Sequence, residues 1–418
     1  MKSVLFLNRV YPPDHGATGQ LLAELAEALT QAGWQVSIVA AGTPPLETRN
    51  SKLEIHRVRG LPFTRAALWK RALAYASLYP ALLGRALRLP RHAVIVTLTD
   101  PPLLLLLGPL LKFWKRSRLV HWAQDIYPEV AEELGVVRKK GWAANLLRWL
   151  SSWSLRRHDH IIAVGRCMKE RLVARGLDEN KITVIPNWPV GRSESRKSEG
   201  RGQRAEVSGQ KREASAAPET NPKSPILNPQ SSIPPPPFTV MYSGNFGLAH
   251  PFEAIIEAVK ILDCEAAPVR FVFAGSGPKL DSLRTSLTGC PNVEFHGPAP
   301  LDQLHARLSA ADAHLASMHE ALCGLVVPSK VYGVLAAGRP CVFLGPPASE
   351  AARLILESGT GAALSGEDGR ALAGLLRGWA GRGAEYQGVR GASERWAAAQ
   401  PGVPLAQFCH ALTGGNAR

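Results

Sequence analysis

Val327-Pro328-Ser329-Lys330-Val331-Tyr332-Gly333-Val334-Leu335-Ala336-Ala337-Gly338-Arg339-Pro340 reads as the start of a helix aimed at an anion. Pro328 suits a helix N-terminus, where its missing N–H is no loss, and Ser329 is the residue type that caps a first turn. Free N–H groups in such a turn attract phosphate, and Lys330 adds a full positive charge. Ala336-Ala337-Gly338 then ends the helix close to a strand expected at 340–344. An ordinary helix between two strands, carrying a surface lysine, would look the same, so the neighbouring sequence has to decide.

Upstream and downstream of this stretch, short apolar runs alternate with segments of helical period. Strands are expected at 3–8, 35–40, 94–98, 119–124, 160–164 and 182–185, and again at 239–242, 270–274, 293–296, 313–316 and 340–344. Helices are expected at 21–32, 252–262, 279–286, 301–310 and 329–337, and near 405–412. Apolar strands separated by helices imply parallel sheets covered on both faces. The fold class is therefore α/β, with two Rossmann-like domains facing across a cleft. Ligands are expected outside the carboxyl ends of the strands.

The segment 191–237 is rich in Ser, Pro, Glu, Arg, Lys and Gln and ends in four prolines, Pro234 to Pro237. With almost no large apolar residues it cannot bury enough surface to fold, so it is expected to be a disordered basic linker. It separates an N-terminal domain, 1–190, from a second domain, 238–400; the last segment, 401–418, is expected to carry a helix that crosses back to the first domain.

The chain has 418 residues, 49 Lys and Arg against 34 Asp and Glu, and a net charge of +15. That balance calls for an anionic partner: phosphorylated ligands, an anionic membrane or nucleic acid. Nucleic acid is disfavoured, because no recognition helix or aromatic β-platform motif is present. Six cysteines without CxxC spacing read as free thiols in a reducing compartment, and no metal site is expected. The N-terminus gives no signal-peptide pattern, and the apolar run 103–111 is far shorter than the ~20 residues that span a bilayer. A cytoplasmic protein is expected, with membrane contact at most peripheral.

Four glycine turns follow strands. Gly16 and Gly19 lie in the first long βα loop, where a backbone could approach a ligand closely. Tyr242-Ser243-Gly244-Asn245-Phe246-Gly247-Leu248-Ala249-His250 repeats that layout and adds Asn245 and His250 as polar groups. Gly275-Ser276-Gly277-Pro278 and His296-Gly297-Pro298 complete a nucleotide-sized outline along one sheet edge. Each alone is also compatible with a plain βα turn. Asp125, at the end of the strand 119–124, can orient or deprotonate a hydroxyl, or simply serve the turn before Pro128. Lys112 to Arg118 is basic and contains Phe113 and Trp114; after Arg138-Lys139-Lys140, Trp142, Leu146, Trp149, Leu150 and Trp153 form one helical stripe, followed by Arg156-Arg157. Such a stripe suits either an anionic membrane surface or the protein core.

Taken together these segments resemble family 4 glycosyltransferases of the GT-B fold, in the branch with colanic-acid and O-antigen enzymes. Phe238 to Gly247, Phe271 to Pro278, Val293 to Gly297 and Pro328-Ser329-Lys330 follow in the family's order, and Val184-Ile185-Pro186-Asn187 matches before the linker. The resemblance implies a retaining, metal-independent transfer from a nucleotide-diphosphate sugar, with no cofactor beyond that donor. It implies a saccharide or polyprenyl-linked acceptor, in surface polysaccharide synthesis. The base would lie near Gly275, Gly277, His296 and Gly297. The diphosphate would lie at Gly244, Ser329 and Lys330, the catalytic cation. The sugar would meet N–H groups of the loop containing Gly324, Leu325 and Val326. Gly16, Gly19 and Asp125, the second catalytic candidate, would place the acceptor.

Four positions depart from the family pattern. Leu325 and Gly333 occupy the places of two glutamates, the second of which holds the ribose, so Glu350 is the expected substitute. Asn245 and His250 stand where an arginine and a lysine usually hold the diphosphate. A sugar-nucleotide epimerase and a non-catalytic GT-B-like binding protein are the alternative readings.

Overall fold

The computed structural model describes residues 2–14, 16–42, 52–61, 68–139, 141–190, 236–400 and 402–414, the side chains of 68–72 and 301 excepted. Apart from Pro236 and Pro237, the expected linker lies outside the described residues, as do 401 and 415–418.

The first domain holds β1 (Ser3–Leu7), α1 (Ala17–Gln31), β2 (Gln35–Ala41), β3 (Leu53–Val58), α2 (Leu68–Arg88) and β4 (Val94–Thr97). It continues with α3 (Leu107–Lys115), β5 (Arg118–Ala123), α4 (Glu129–Glu133), α5 (Trp142–Arg157), β6 (His160–Ala163), α6 (Arg166–Ala174) and β7 (Ile182–Val184). Its seven strands are all parallel, in the order β3-β2-β1-β4-β5-β6-β7.

The second domain holds β8 (Phe238–Asn245), α7 (Glu253–Cys264), β9 (Val269–Ser276), α8 (Leu280–Ser286), β10 (Val293–His296), α9 (Leu301–Ser309) and β11 (Ala313–Ser317). Then come α10 (Lys330–Ala336), β12 (Cys341–Leu344), α11 (Glu350–Ser358), β13 (Gly361–Leu364), α12 (Gly369–Ala380) and α13 (Ala384–Ala399). Its six parallel strands run β10-β9-β8-β11-β12-β13.

Both sheets are doubly wound, because helices cover each face and the chain reverses direction once along the sheet. The reversal lies between β1 and β4 in the first and between β8 and β11 in the second. The loops leaving the two strands at such a point diverge to opposite faces and open a crevice. Central strands such as β4 and β12 are buried along their whole length, which is why they read as unbroken apolar runs.

After α13 the chain returns to the first sheet as α14 (Leu405–Thr413). Phe408 on α14 packs edge-on to Trp122 of β5 and to Trp188, with ring centroids 4.9 and 5.7 Å away, while Trp122 and Trp188 stack at 5.8 Å. The domains also touch directly. Ile126 N–H donates to Leu325 O at 2.9 Å, and Asp125 forms an antiparallel bridge with Val326. Arg353 pairs with Glu170 at 2.7 Å, and Arg166 spans the same boundary to Glu350.

Candidate active site

At the crevice of the second sheet, β8 carries its main chain past the core to an exposed Gly244, whose φ of 128° favours glycine. The neighbouring strand must then come very close. A Cβ at Gly275 would lie 1.9 Å from Gly244 O, and one at Gly277 would lie 2.5 Å from Phe246 O. Gly275, which is buried, and Gly277 thus shape the β8 turn by main-chain packing, and it is Gly244 and Asn245 that face solvent.

Lys330 points into this turn. Its Nζ donates to Tyr242 Oη at 2.5 Å and stands 4.0 Å from the Tyr242 ring centroid; its Cε would be 3.8 Å from a Cβ at Gly244. Loss of hydration pushes the ammonium down to about 7. The phenol hydroxyl in turn donates a hydrogen bond to Asn245 O at 3.2 Å. His250 Nδ1–H donates to Ser317 O at 2.5 Å, tying the β8 loop to the end of β11 across the crevice. Burial first, and Lys330 second, hold this imidazole neutral, with its pKa down at about 3. A further cation, Lys279, closes the loop from the other side by donating to His250 O at 3.0 Å. Lysines 330 and 279 therefore flank the Gly244–His250 loop, an arrangement suited to a compact polyanion.

Several expectations need correction. Ser329 makes no capping hydrogen bond, because its own main chain is already helical, and α10 has only seven residues. Val331 N–H and Tyr332 N–H are taken by Pro328 O and Ser329 O, so positive potential here comes from Lys330 more than from the helix end. Glu350 is committed elsewhere. Its carboxylate accepts from Arg166 N–H at 2.5 Å and from Arg166 Nε at 3.1 Å, inside the domain boundary. The N–H groups of Leu325 and Val326 both donate to Leu322 O rather than pointing outward. Gly324, at φ 73°, is buried where a Cβ would lie 2.6 Å from Cys167 O, so this loop clasps α6 instead of lying open to a sugar.

Cys323 of the same loop donates its thiol to Cys167, and that bond, outweighing burial, lowers the Cys167 thiol to about 7. Arg9, a further candidate cation from the first loop, is held by Asp100 through bonds of 2.7 and 2.8 Å.

In the first domain, Gly19 is buried where a Cβ would sit 2.9 Å from Val10 O, so its role is to seat α1 against the loop. Gly16 is partly exposed beside it. Asp125 leaves the end of β5 at the domain boundary. Burial, with help from Asp100, raises its carboxyl to about 7. His296 and Gly297 are exposed beyond β10, where His296 Nε2 meets Glu294 at 3.2 Å. A cavity of about 380 Å³ lies beside the crevice, bordered by Glu253, His319, Glu320 and Glu367. Its carboxylates would repel a diphosphate, which leaves the lysine-flanked loop as the better polyanion site.

Comparison with known proteins agrees with this architecture. A "Glycosyl transferase 4-like domain" model matches residues 16–188, and a "Glycosyl transferases group 1" model matches 237–378. WbjE of Pseudomonas aeruginosa, named as a glycosyltransferase, is 28% identical over 301 residues, which is 69% of this chain and 66% of that protein. WcaI of Escherichia coli (strain K12), named for glycosyl transfer in colanic acid biosynthesis, is 24% identical over 372 residues, 82% of this chain and 83% of that one. The structure of HepE from Anabaena in complex with UDP-glucose superposes with a TM-score of 0.64 at 13% identity, covering 99% of this chain and 100% of that one. The two family matches divide where the two sheets divide, and the chain belongs to the family 4 glycosyltransferases of the GT-B fold.

Proposed function

We propose that the chain is a retaining glycosyltransferase that moves a sugar from a nucleotide-diphosphate sugar to a saccharide or polyprenyl-linked acceptor in surface polysaccharide synthesis. The observation that carries this reading is the Lys330 ammonium at the exposed Gly244 turn, with Lys279 on the far side of the same loop. Transfer breaks the anomeric C–O bond, and negative charge grows on the departing diphosphate. A partly desolvated cation already aimed at that position stabilises the charge without reorganising. The acceptor hydroxyl oxygen forms the new bond on the same face, and its proton passes to the departing phosphate oxygen.

In this reading Asp125 orients the acceptor. Its place beside Val326 supports this, because that boundary is where the two domains meet. Exposed His296 and Gly297 are left for the base, and Asn245 for the diphosphate. Contact with the membrane that carries a polyprenyl-linked acceptor belongs to the same reading.

The test is incubation with labelled UDP-, GDP- and ADP-sugars and a lipid-linked acceptor extract, with the product's anomeric configuration read by NMR. One donor should give a product with its configuration retained. An inverted product, or tight nucleotide binding without any transfer, would overturn the reading.

A further inference from the structure

The outer surface of the first domain breaks the usual rule for an amphipathic helix. On α5 the inward residues are small: Ala144, Ser151 and Ser154 are buried together with Leu155. The two serines are satisfied by main chain, Ser151 Oγ donating to Tyr127 O at 3.0 Å and Ser154 Oγ to Leu105 O at 2.8 Å. The large residues point the other way. Trp142 is 81% exposed, Trp149 60% and Leu146 46%. Helix α3, which packs beside α5, also leaves rings in solvent: Leu107, Gly108 and Leu111 face the core, while Phe113 is 76% exposed and Trp114 70%. A helix built only to cover a sheet would turn these rings inward. Leaving four aromatic side chains in water on two adjoining helices marks a surface with a partner.

The charge around these rings selects the partner. Arg116, Arg138, Arg156 and Arg157 have no carboxylate partner among the described residues, whereas Lys115 Nζ is taken by Leu87 O and Leu89 O. The acids nearby are neutralised: Asp159 by Lys112, Glu133 by Lys139, Glu132 by Arg148 and Glu129 by Arg175. Arg157 lies over the Trp153 ring at 4.0 Å, and Lys112 Nζ reaches the carbonyl of Arg157, so cations and rings share one face. Aromatic rings that settle at headgroup depth, ringed by cations that meet lipid phosphates, fit a bilayer surface. Topology adds a direction. Because α5 leads into β6 of a parallel sheet, its Trp142 end lies at the carboxyl edge of the strands, beside the crevice.

We propose that the outward face of α3 and α5 docks on an anionic lipid bilayer, with Phe113, Trp114, Trp142 and Trp149 entering the headgroup layer and the unpaired basic residues contacting lipid phosphates. The proposal rests on the reading above only for its purpose, the delivery of a lipid-linked acceptor to the crevice; the binding itself needs neither donor nor transfer.

The experiment is co-sedimentation of the full chain with phosphatidylcholine vesicles, with and without phosphatidylglycerol, across a range of salt. Binding should require phosphatidylglycerol and weaken as salt rises. The double variants Trp142→Glu/Trp149→Glu and Phe113→Glu/Trp114→Glu should each reduce partitioning by about tenfold or more. Because these residues are exposed, both variants should keep the melting temperature of the parent and its transfer to a soluble acceptor. No preference for phosphatidylglycerol, or partitioning unchanged in both variants, would overturn the proposal. So would a dimer by light scattering that the variants dissociate, since a second copy would then cover this face. Absence of vesicle binding by the parent chain with its transfer intact refutes the docking surface alone, and vesicle binding by the parent chain without any transfer refutes the enzymatic reading alone.

Discussion

Lys330 is held close to neutrality by its surroundings, and that sets a pH signature. Its pKa in the free protein is drawn down to about 7, so the ammonium is present below pH 7 and is lost above it. A diphosphate needs the charged form. Sugar-nucleotide affinity should therefore fall as pH rises from 7 to 9, by up to about tenfold per unit for the single proton involved. Lys330→Arg, whose charge does not titrate in this range, should flatten the profile. Titration calorimetry at several pH values checks both; a wild-type profile that is flat from 7 to 9 would remove Lys330 from the site. That Lys330 opens a helix was legible in the sequence, because a lysine beside Pro-Ser, between apolar runs, is a short-range pattern. Lys279 was not, since it sits beyond a glycine turn and reads as an ordinary helix-start lysine until His250 O is seen beside it. The Glu350 pairing was not legible for the opposite reason: its partner Arg166 is 184 positions away, and no local pattern announces it.

At the scale of elements, every strand inside the two sheets was legible, and so were the edge strands β7 and β10. β3, with the sequence Leu-Glu-Ile-His-Arg-Val, and β13, with Gly-Ala-Ala-Leu, went unread. Both are edge strands, partly exposed, and neither shows an unbroken apolar run. The aromatic stripe of α5 left core and surface equally open, because periodicity reports that a helix is two-faced and not which face turns inward. The buried serines settle that.

The α6–α11 contact is a structural seam that the sequence did not disclose. Glu350 is nearly buried and Arg166 is partly exposed, so Arg166→Ala would leave a carboxylate short of its partner. The expected cost is about 1–2 kcal/mol, less than for a fully buried pair because solvent reaches the arginine. Calorimetric melting should show a fall of a few degrees, with Arg166→Lys intermediate. An unchanged melting temperature would mean that the seam adds nothing to stability.

The whole molecule is two doubly wound sheets tied at three places: the Asp125–Val326 bridge, the Arg166–Glu350 seam and the return of α14 onto Trp122 and Trp188. These ties hold the crevice of the second sheet against the first domain, so the Lys330 end of the second domain and the Asp125 end of β5 share one boundary. The alternation of strands and helices was enough to read this architecture, because it depends on period alone. The interior of the site was not, because it depends on which main-chain atoms come within contact across separate loops, as Gly275 does with Gly244. The claim on which everything else depends is that the lysine-flanked Gly244–His250 loop binds a nucleoside diphosphate. Calorimetric titration of UDP, GDP and ADP into the wild type, Lys330→Ala and Lys279→Ala tests it most directly. At least one nucleotide should bind the wild type and bind each variant about tenfold or more weakly, as expected for loss of a charge-assisted contact; no binding by any of the three, or equal binding by wild type and both variants, would contradict it.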